Sequence, residues 1–222
     1  MSIIKMNLNV CGGGKVINFV IIGICVVMFI LSKIFPQMYL YFALYPNMAF
    51  SMPWQLITSI FMHATITHLL LNMFVLFFFG TYLERLIGAK KYILVFLISG
   101  IVGNLAYILY CHITGSYLPS VGSSGAIFGV MGALAILHPR LKVVIFPIPV
   151  PISIRVAVGL FALIDLILLP YTFKTGIAHI SHLAGLLTGL IFGEVLKKDV
   201  RNLNNKRRGK LRLKKFKFKK NR

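Results

Sequence analysis

Apolar runs as long as a bilayer is thick, repeated along a chain of 222 residues, leave few folds open. Crossing about 30 Å of hydrocarbon as a helix takes roughly 20 mostly apolar residues. Six such stretches are present, near residues 16–35, 67–86, 92–113, 124–138, 154–169 and 176–196. Inside lipid the backbone must satisfy its own hydrogen bonds, so each stretch is expected to be helical. Hydrophobic residues make up 58% of the chain and charged ones only 13%, where a soluble domain carries about a quarter charged. The expected fold class is therefore all-α, a polytopic membrane protein built as one bundle of six transmembrane helices. Its parts are a short N-terminal segment (1–15), a helical core (16–196) and a basic tail (197–222). The first run lacks a small-x-small cleavage site and continues into Ser32-Lys33-Ile34-Phe35, which makes it a retained helix rather than a signal peptide.

The net charge of +20 invites a nucleic-acid reading, but its distribution argues otherwise. Fourteen of the 24 Lys and Arg residues fall in 197–222, directly after the last apolar run. A basic stretch beside a membrane helix is drawn to anionic lipid by roughly 1 kcal/mol per residue near the surface. Anionic lipids are thus the expected partner of the tail, ahead of RNA or the ribosome, and no nucleic-acid function is expected. Lys5, Lys15, Arg85, Lys90, Lys91, Arg140, Lys142 and Arg155 fall on the same side as the tail, with only Lys33 and Lys174 opposite. The positive-inside rule then puts both termini in the cytoplasm of a prokaryotic-type plasma membrane. Cys11, Cys25 and Cys111 are odd in number and lack CxxC spacing, so neither a disulfide framework nor a metal site is expected, and no cofactor is implied.

Two segments are unusual. Residues 36–66 hold Pro36, Pro46 and Pro53 and no Lys, Arg, Asp or Glu, too apolar for a solvated loop. Their second part, from Trp54 through Met62, reads as an interfacial segment lying partly in the bilayer. The fourth span runs only from Ser124 to the helix-stopping Pro139, about 22 Å of helix. That falls short of the hydrocarbon by roughly 8 Å. Ser124 is therefore expected below the outer surface, and the loop 115–122 must dip to reach it. Non-helical backbone survives at that depth only when buried in protein or lining a wet cavity.

Strongly polar residues inside spans are costly and point to function. His68 and Asn72 are spaced i, i+4 and share one helix face. Gly122-Ser123-Ser124-Gly125 opens the fourth span, and His179 and His182 lie in the outer part of the sixth. Gly125, Gly129 and Ala133 repeat every four residues, as do Gly185, Gly189 and Gly193. Such faces let two backbones approach closely in lipid, which would bring Ser124 to His182. A serine becomes a useful nucleophile when an adjacent imidazole takes its proton. Acyl transfer also needs donors for the oxyanion, each worth roughly 3 kcal/mol, and Asn72, His68 and the Ser124 N–H are suited to this. Singly, Ser124 also fits a helix N-cap and either histidine a structural role; the combination at one depth carries the reading.

Met62-His63 followed by His68 and Asn72, the Gly-Ser-Ser-Gly motif, Ala178-His179-Ile180-Ser181-His182-Leu183-Ala184-Gly185, and Gly80, Glu84 and Arg85 together resemble the rhomboid family over residues 54–196. The resemblance implies a rhomboid-like six-transmembrane-helix bundle, an intramembrane serine protease whose partners are transmembrane protein substrates cut near the outer face. It implies Ser124 as nucleophile, His182 as general base, and His68 and Asn72 with the Ser124 N–H as oxyanion hole. His63, Gly122, Gly125, Phe128 and Gly185 would be structural members near the site, with Phe128 beneath the His182 ring. His179 is the alternative base. Substrates would come in by the uncharged first loop and the fifth helix. Trp54-Gln55 stands where the family often has Trp-Arg, which removes an Arg-dependent loop anchor. Asp165 is the one acid well inside a span. A Ser-His-Asp triad is one reading of it, but the dyad implied by the resemblance makes it a polar-crevice or interhelical residue. Asn104 is read as an interhelical hydrogen-bonding residue, and Glu84 as an ion-pair partner of Arg85.

Overall fold

The computed structural model describes residues 17–145 and 148–220, with side chains described outside 145–149 and up to residue 202. The N-terminal segment 1–15 lies outside the described residues, and so do most side chains of the basic tail. The first span is α1 (Ile17–Ile34), and two short helices, α2 (Met38–Phe42) and α3 (Gln55–Thr58), shape the loop that follows. Next come α4 (Ile66–Val75) and α5 (Thr81–Ile87), joined by one wide helical turn at Leu76–Gly80, then α6 (Ala89–Thr114) and α7 (Ser124–Leu137). An antiparallel hairpin of β1 (Lys142–Ile145) and β2 (Ile148–Ser153) leads to α8 (Ile154–Leu168), the single turn α9 (Thr172–Thr175) and α10 (His179–Lys220).

Among the described residues, five stretches are long and apolar enough to cross a membrane: Ile17–Ile34, Ile66–Ile87, Ala89–Thr114, Ile154–Thr175 and His179–Asn202. With α7, whose 14 residues span only about 21 Å, they make the expected all-α polytopic bundle. Two features differ from the sequence reading. The helix of the last span runs on through basic sequence to Lys220. The connection after α7 forms the hairpin, in which Val143 pairs with Ile152 and Lys142 with Ser153; its β-branched residues suit a strand.

The bundle presents its apolar side chains outward. On α1, Asn18, Ile21, Cys25 and Ser32 are buried along one face, while Phe19, Val20, Ile24, Val27 and Ile30 are exposed. Leu70, Leu71 and Phe74 on α4, and Leu163, Ile164, Leu166 and Ile167 on α8, are exposed likewise. A belt of this extent matches lipid, not water. The centre is α7, buried from Gly125 to Ala135 except at Phe128. A Cβ on Gly185 would strike the Gly125 carbonyl, one on Gly189 the Gly129 carbonyl, and one on Gly132 would lie 2.7 Å from the Leu186 carbonyl oxygen. The α7 and α10 backbones are therefore in direct contact, and α6 joins them where the Ser181 hydroxyl donates to the Gly103 carbonyl at 2.8 Å.

A second polar knot ties α1 to the base of the α4–α5 span. Glu84 is buried and accepts from the N–H groups of Ile17 (3.3 Å) and Asn18 (3.1 Å), among the opening donors of α1. Read from sequence as an ion-pair partner of Arg85, it also ties its carboxylate to the start of another helix. The Asn18 amide donates to the Leu76 carbonyl at 2.9 Å and to the Thr81 hydroxyl at 3.0 Å, and the Tyr92 hydroxyl donates to Asn18 Oδ1. The wide turn at Leu76–Gly80 presents that carbonyl, in keeping with such turns appearing where a helix must meet a neighbour.

Gly189→Leu drives a side chain into the α7 backbone and is expected to destabilise the bundle by about 3 kcal/mol or more. Gly23→Leu, where an added Cβ meets nothing within 4 Å, should change stability by less than about 0.5 kcal/mol. Equilibrium unfolding in mixed micelles measures both.

Candidate active site

The first loop holds the approach to α7. Gln55 is fully buried; its Oε1 accepts from the Tyr45 N–H at 3.0 Å and its Nε2 donates to the Leu40 carbonyl at 3.0 Å. The position that lacks an arginine thus supplies the loop's anchor by another chemistry. Trp54 Nε1 donates to the Tyr41 carbonyl at 2.9 Å. Asn104 on α6 donates to the Leu56 carbonyl and to Ser59 Oγ, both at 2.9 Å, so it bonds across to the loop as well as lying among helices.

The loop in turn holds the segment before α7. Leu44 and Ser120 exchange backbone hydrogen bonds at 3.0 and 2.9 Å, and the Gly122 N–H donates to the Ser59 carbonyl at 2.9 Å. Gly122 has φ +127°, and a Cβ there would sit 2.7 Å from His68 Cε1. Only glycine fits that backbone beside that ring. Gly125, one turn on, has no side chain between Ser124 and the Ser181 backbone of α10.

The two adjacent serines face different histidines. Ser123 is buried, with Oγ 3.4 Å from His63 Nε2. Ser124, half-buried at the first position of α7, has Oγ 2.8 Å from His182 Nε2. The His63 and His68 rings meet edge to face at 5.1 Å. Outside the spans, burial and the neighbouring His68 push the His63 imidazole down to about 4, which keeps it neutral at physiological pH. Thr65 caps α4 by accepting from the His68 N–H at 3.1 Å. Asn72 donates one amide hydrogen to the His68 carbonyl at 2.9 Å and retains a second donor. Phe128 lies flat against the His182 ring, 4.5 Å between centroids and 10° from parallel, the place that the resemblance implies for it.

Sequence reasoning assigned Asp165 to a crevice or an interhelical contact. It does bridge helices, yet its partner is the histidine that reaches Ser124. Asp165 Oδ1 and Oδ2 lie 3.1 and 3.2 Å from His182 Nδ1, and Oδ1 lies 2.6 Å from His179 Nδ1. His179 Nε2 is 3.1 Å from Thr175 Oγ1. The readable signal was an acid in the outer half of one span and two histidines three residues apart on another. Asp165, His179 and His182 offer ligand atoms within 4.8 Å of one another, a donor set that suits a divalent cation. In this structure those atoms hydrogen-bond to each other. The combined geometry of hydroxyl, imidazole and nearby donors is that required for acyl transfer.

Comparison with known proteins finds one matching family model and several relatives. The family model for the rhomboid domain matches residues 51–199. Rhomboid protein 1, mitochondrial, of Saccharomyces cerevisiae is 32% identical over 155 residues, covering 68% of this chain and 44% of the relative. From Bacillus subtilis, rhomboid protease GluP is 42% identical over 81 residues (36% of this chain, 15% of the relative), and putative rhomboid protease YdcA is 44% identical over 84 (36% and 38%). The chain spans less than half the length of each of these relatives.

Gly122→Ala should lower the thermal unfolding midpoint more than Gly115→Ala. Both positions have positive φ, but an added Cβ at Gly115 meets nothing within 4 Å whereas at Gly122 it meets the His68 ring. Strain of this kind is worth about 1–3 kcal/mol, and differential scanning of the two variants in detergent measures the gap.

Proposed function

This chain belongs to the rhomboid family, and from that premise we propose that it is an intramembrane serine endopeptidase acting on transmembrane segments of other membrane proteins. The observation that carries the reading is the 2.8 Å contact of Ser124 Oγ with His182 Nε2 at the head of a short, buried helix. In this reading the Ser124 hydroxyl attacks a peptide carbonyl while His182 takes its proton at Nε2. The oxyanion accepts hydrogen bonds from the Ser124 N–H, which the start of α7 leaves without an intrahelical acceptor, and from the His68 and Asn72 side chains. His182 then gives its proton to the leaving amine, and water releases the acyl group by the reverse path. The chemistry as written calls on no cofactor.

A substrate helix must give up internal hydrogen bonds before its backbone can lie against Ser124, and inside lipid that is expensive. Segments that carry helix-breaking residues near the outer face, with a small residue at the cleaved bond, are the favoured substrates. The exposed outer half of α8 and the first loop form the side where they would dock. In the same reading both termini face the cytoplasm of a prokaryotic-type plasma membrane and the tail lies against anionic lipid, with the distribution of basic residues as support for the sidedness. The relatives come from mitochondria as well as from a bacterium, so this assignment rests on charge distribution alone.

Detergent-solubilised protein treated with a fluorescent fluorophosphonate tests the reading without a known substrate. Wild type and Ser123→Ala are expected to become labelled, while Ser124→Ala and His182→Ala lose at least about 100-fold in labelling rate. Folded wild type that stays unlabelled would overturn the protease reading and leave a helix-binding protein in its place.

A further inference from the structure

We propose that Asp165 is a positioning residue for His182, so that Ser124, His182 and Asp165 work as a triad; this rests on the protease reading above. The His182 ring has one nitrogen on each partner: Nε2 at 2.8 Å from Ser124 Oγ, and Nδ1 at 3.1 and 3.2 Å from the two Asp165 oxygens. An ionised carboxylate only accepts hydrogen bonds. It therefore fixes the imidazole proton on Nδ1 and leaves Nε2 bare toward the serine, the tautomer that a general base requires. When the serine proton reaches Nε2, the adjacent negative charge stabilises the imidazolium. The Phe128 face holds the ring in the plane that joins the two partners.

His179 completes the arrangement from one turn away. Its Nδ1 is 2.6 Å from Asp165 Oδ1 and its Nε2 is 3.1 Å from Thr175 Oγ1. Asp165 is 5% exposed, and a carboxylate so buried needs donors to persist in ionised form. His179 supplies one such donor and fixes the carboxylate's orientation. If Asp165 served only to tie α8 to α10, the bond to His179 would suffice. The further bonds go to the ring that faces Ser124. Among the described residues, Asp165 from α8, His179 from α10 itself and His68 from α4 are the titratable groups that face this ring.

Asp165→Asn keeps the size of the side chain but offers amide hydrogens to Nδ1, favouring the wrong tautomer. The fluorophosphonate reaction of full-length protein, followed against probe concentration and pH, separates a positioning role from a structural one. The limiting labelling rate should fall at least about 100-fold, within the range seen for the same change in other Ser-His-Asp sites, with the half-saturating concentration unchanged. The acid limb of the rate profile should move to lower pH, because the charge that favours the imidazolium is gone. A limiting rate within threefold of wild type, or an unmoved acid limb, would overturn the inference while wild-type labelling leaves the protease reading standing. His179→Gln, which keeps a donor near Asp165, is expected to stay within about tenfold of wild type. A second measurement needs no Asp165 variant. In protein with ¹⁵N-labelled histidine, the His182 signals, assigned by their loss in His182→Gln, should show the proton on Nδ1. A proton on Nε2 of the neutral ring would refute the triad even if Asp165→Asn does not fold.

Discussion

Backbone contact between α7 and α10 is the constraint from which the rest follows. Lipid supplies no hydrophobic force between helices, so association rests on close packing and interhelical hydrogen bonds. With side chains in the seam, helix axes stay about 8–10 Å apart. Glycine at 125, 129, 185 and 189 removes those side chains, and each α10 glycine of this set lies against an α7 carbonyl. That approach puts a serine on one helix within hydrogen-bond reach of a histidine on the other. Both groups sit on rigid elements, and sites built this way hold their geometry better than sites on loops.

Polar groups buried in such a bundle are costly unless they find partners. At one end Glu84, Asn18, Thr81 and Tyr92 satisfy one another and the start of α1. At the other, Ser124, His182, Asp165, His179 and Thr175 form a continuous chain of contacts across four helices, α7, α8, α9 and α10. Gln55 and Asn104 stitch the apolar first loop to itself and to α6. The loop is therefore part of the packed structure, and through Ser59 and Leu44 it sets the path of the chain into Ser124.

The shortness of α7 links fold to chemistry. A helix of 14 residues cannot reach both surfaces of a bilayer, so one of its ends lies at depth; in the proposed orientation that end is the N-terminus. Its opening N–H groups are free of intrahelical acceptors there. A helix start with a serine at its first position and polar side chains from α4 and α10 around it makes a polar site in otherwise apolar surroundings. That is the environment the proposed hydrolysis requires.

Much of this was legible in the residues. Apolar run length sets the number of spans, because the thickness of lipid is fixed; the bounds of α1 and α6 differ from the sequence reading by three residues at most. The four-residue glycine spacing identified the α7–α10 seam, because helical periodicity places such residues on one face. Phe128 beneath the ring was implied by the family resemblance alone, while the meeting of Ser124 with His182 followed from that seam. The partner of Asp165 did not, because which helix α8 faces, and at what height, depends on tilt and rotation that no local pattern encodes. Nor did the separate orientations of Ser123 and Ser124, adjacent in sequence and equal in chemistry, or the role of Gln55, whose partners lie 10 to 15 residues away in an irregular loop. The sequence by itself determined the spans and the helices that must touch, since these follow from length and period. Tertiary packing alone decided which polar atoms meet, since a hydrogen bond depends on displacements of an ångström that only the assembled bundle defines.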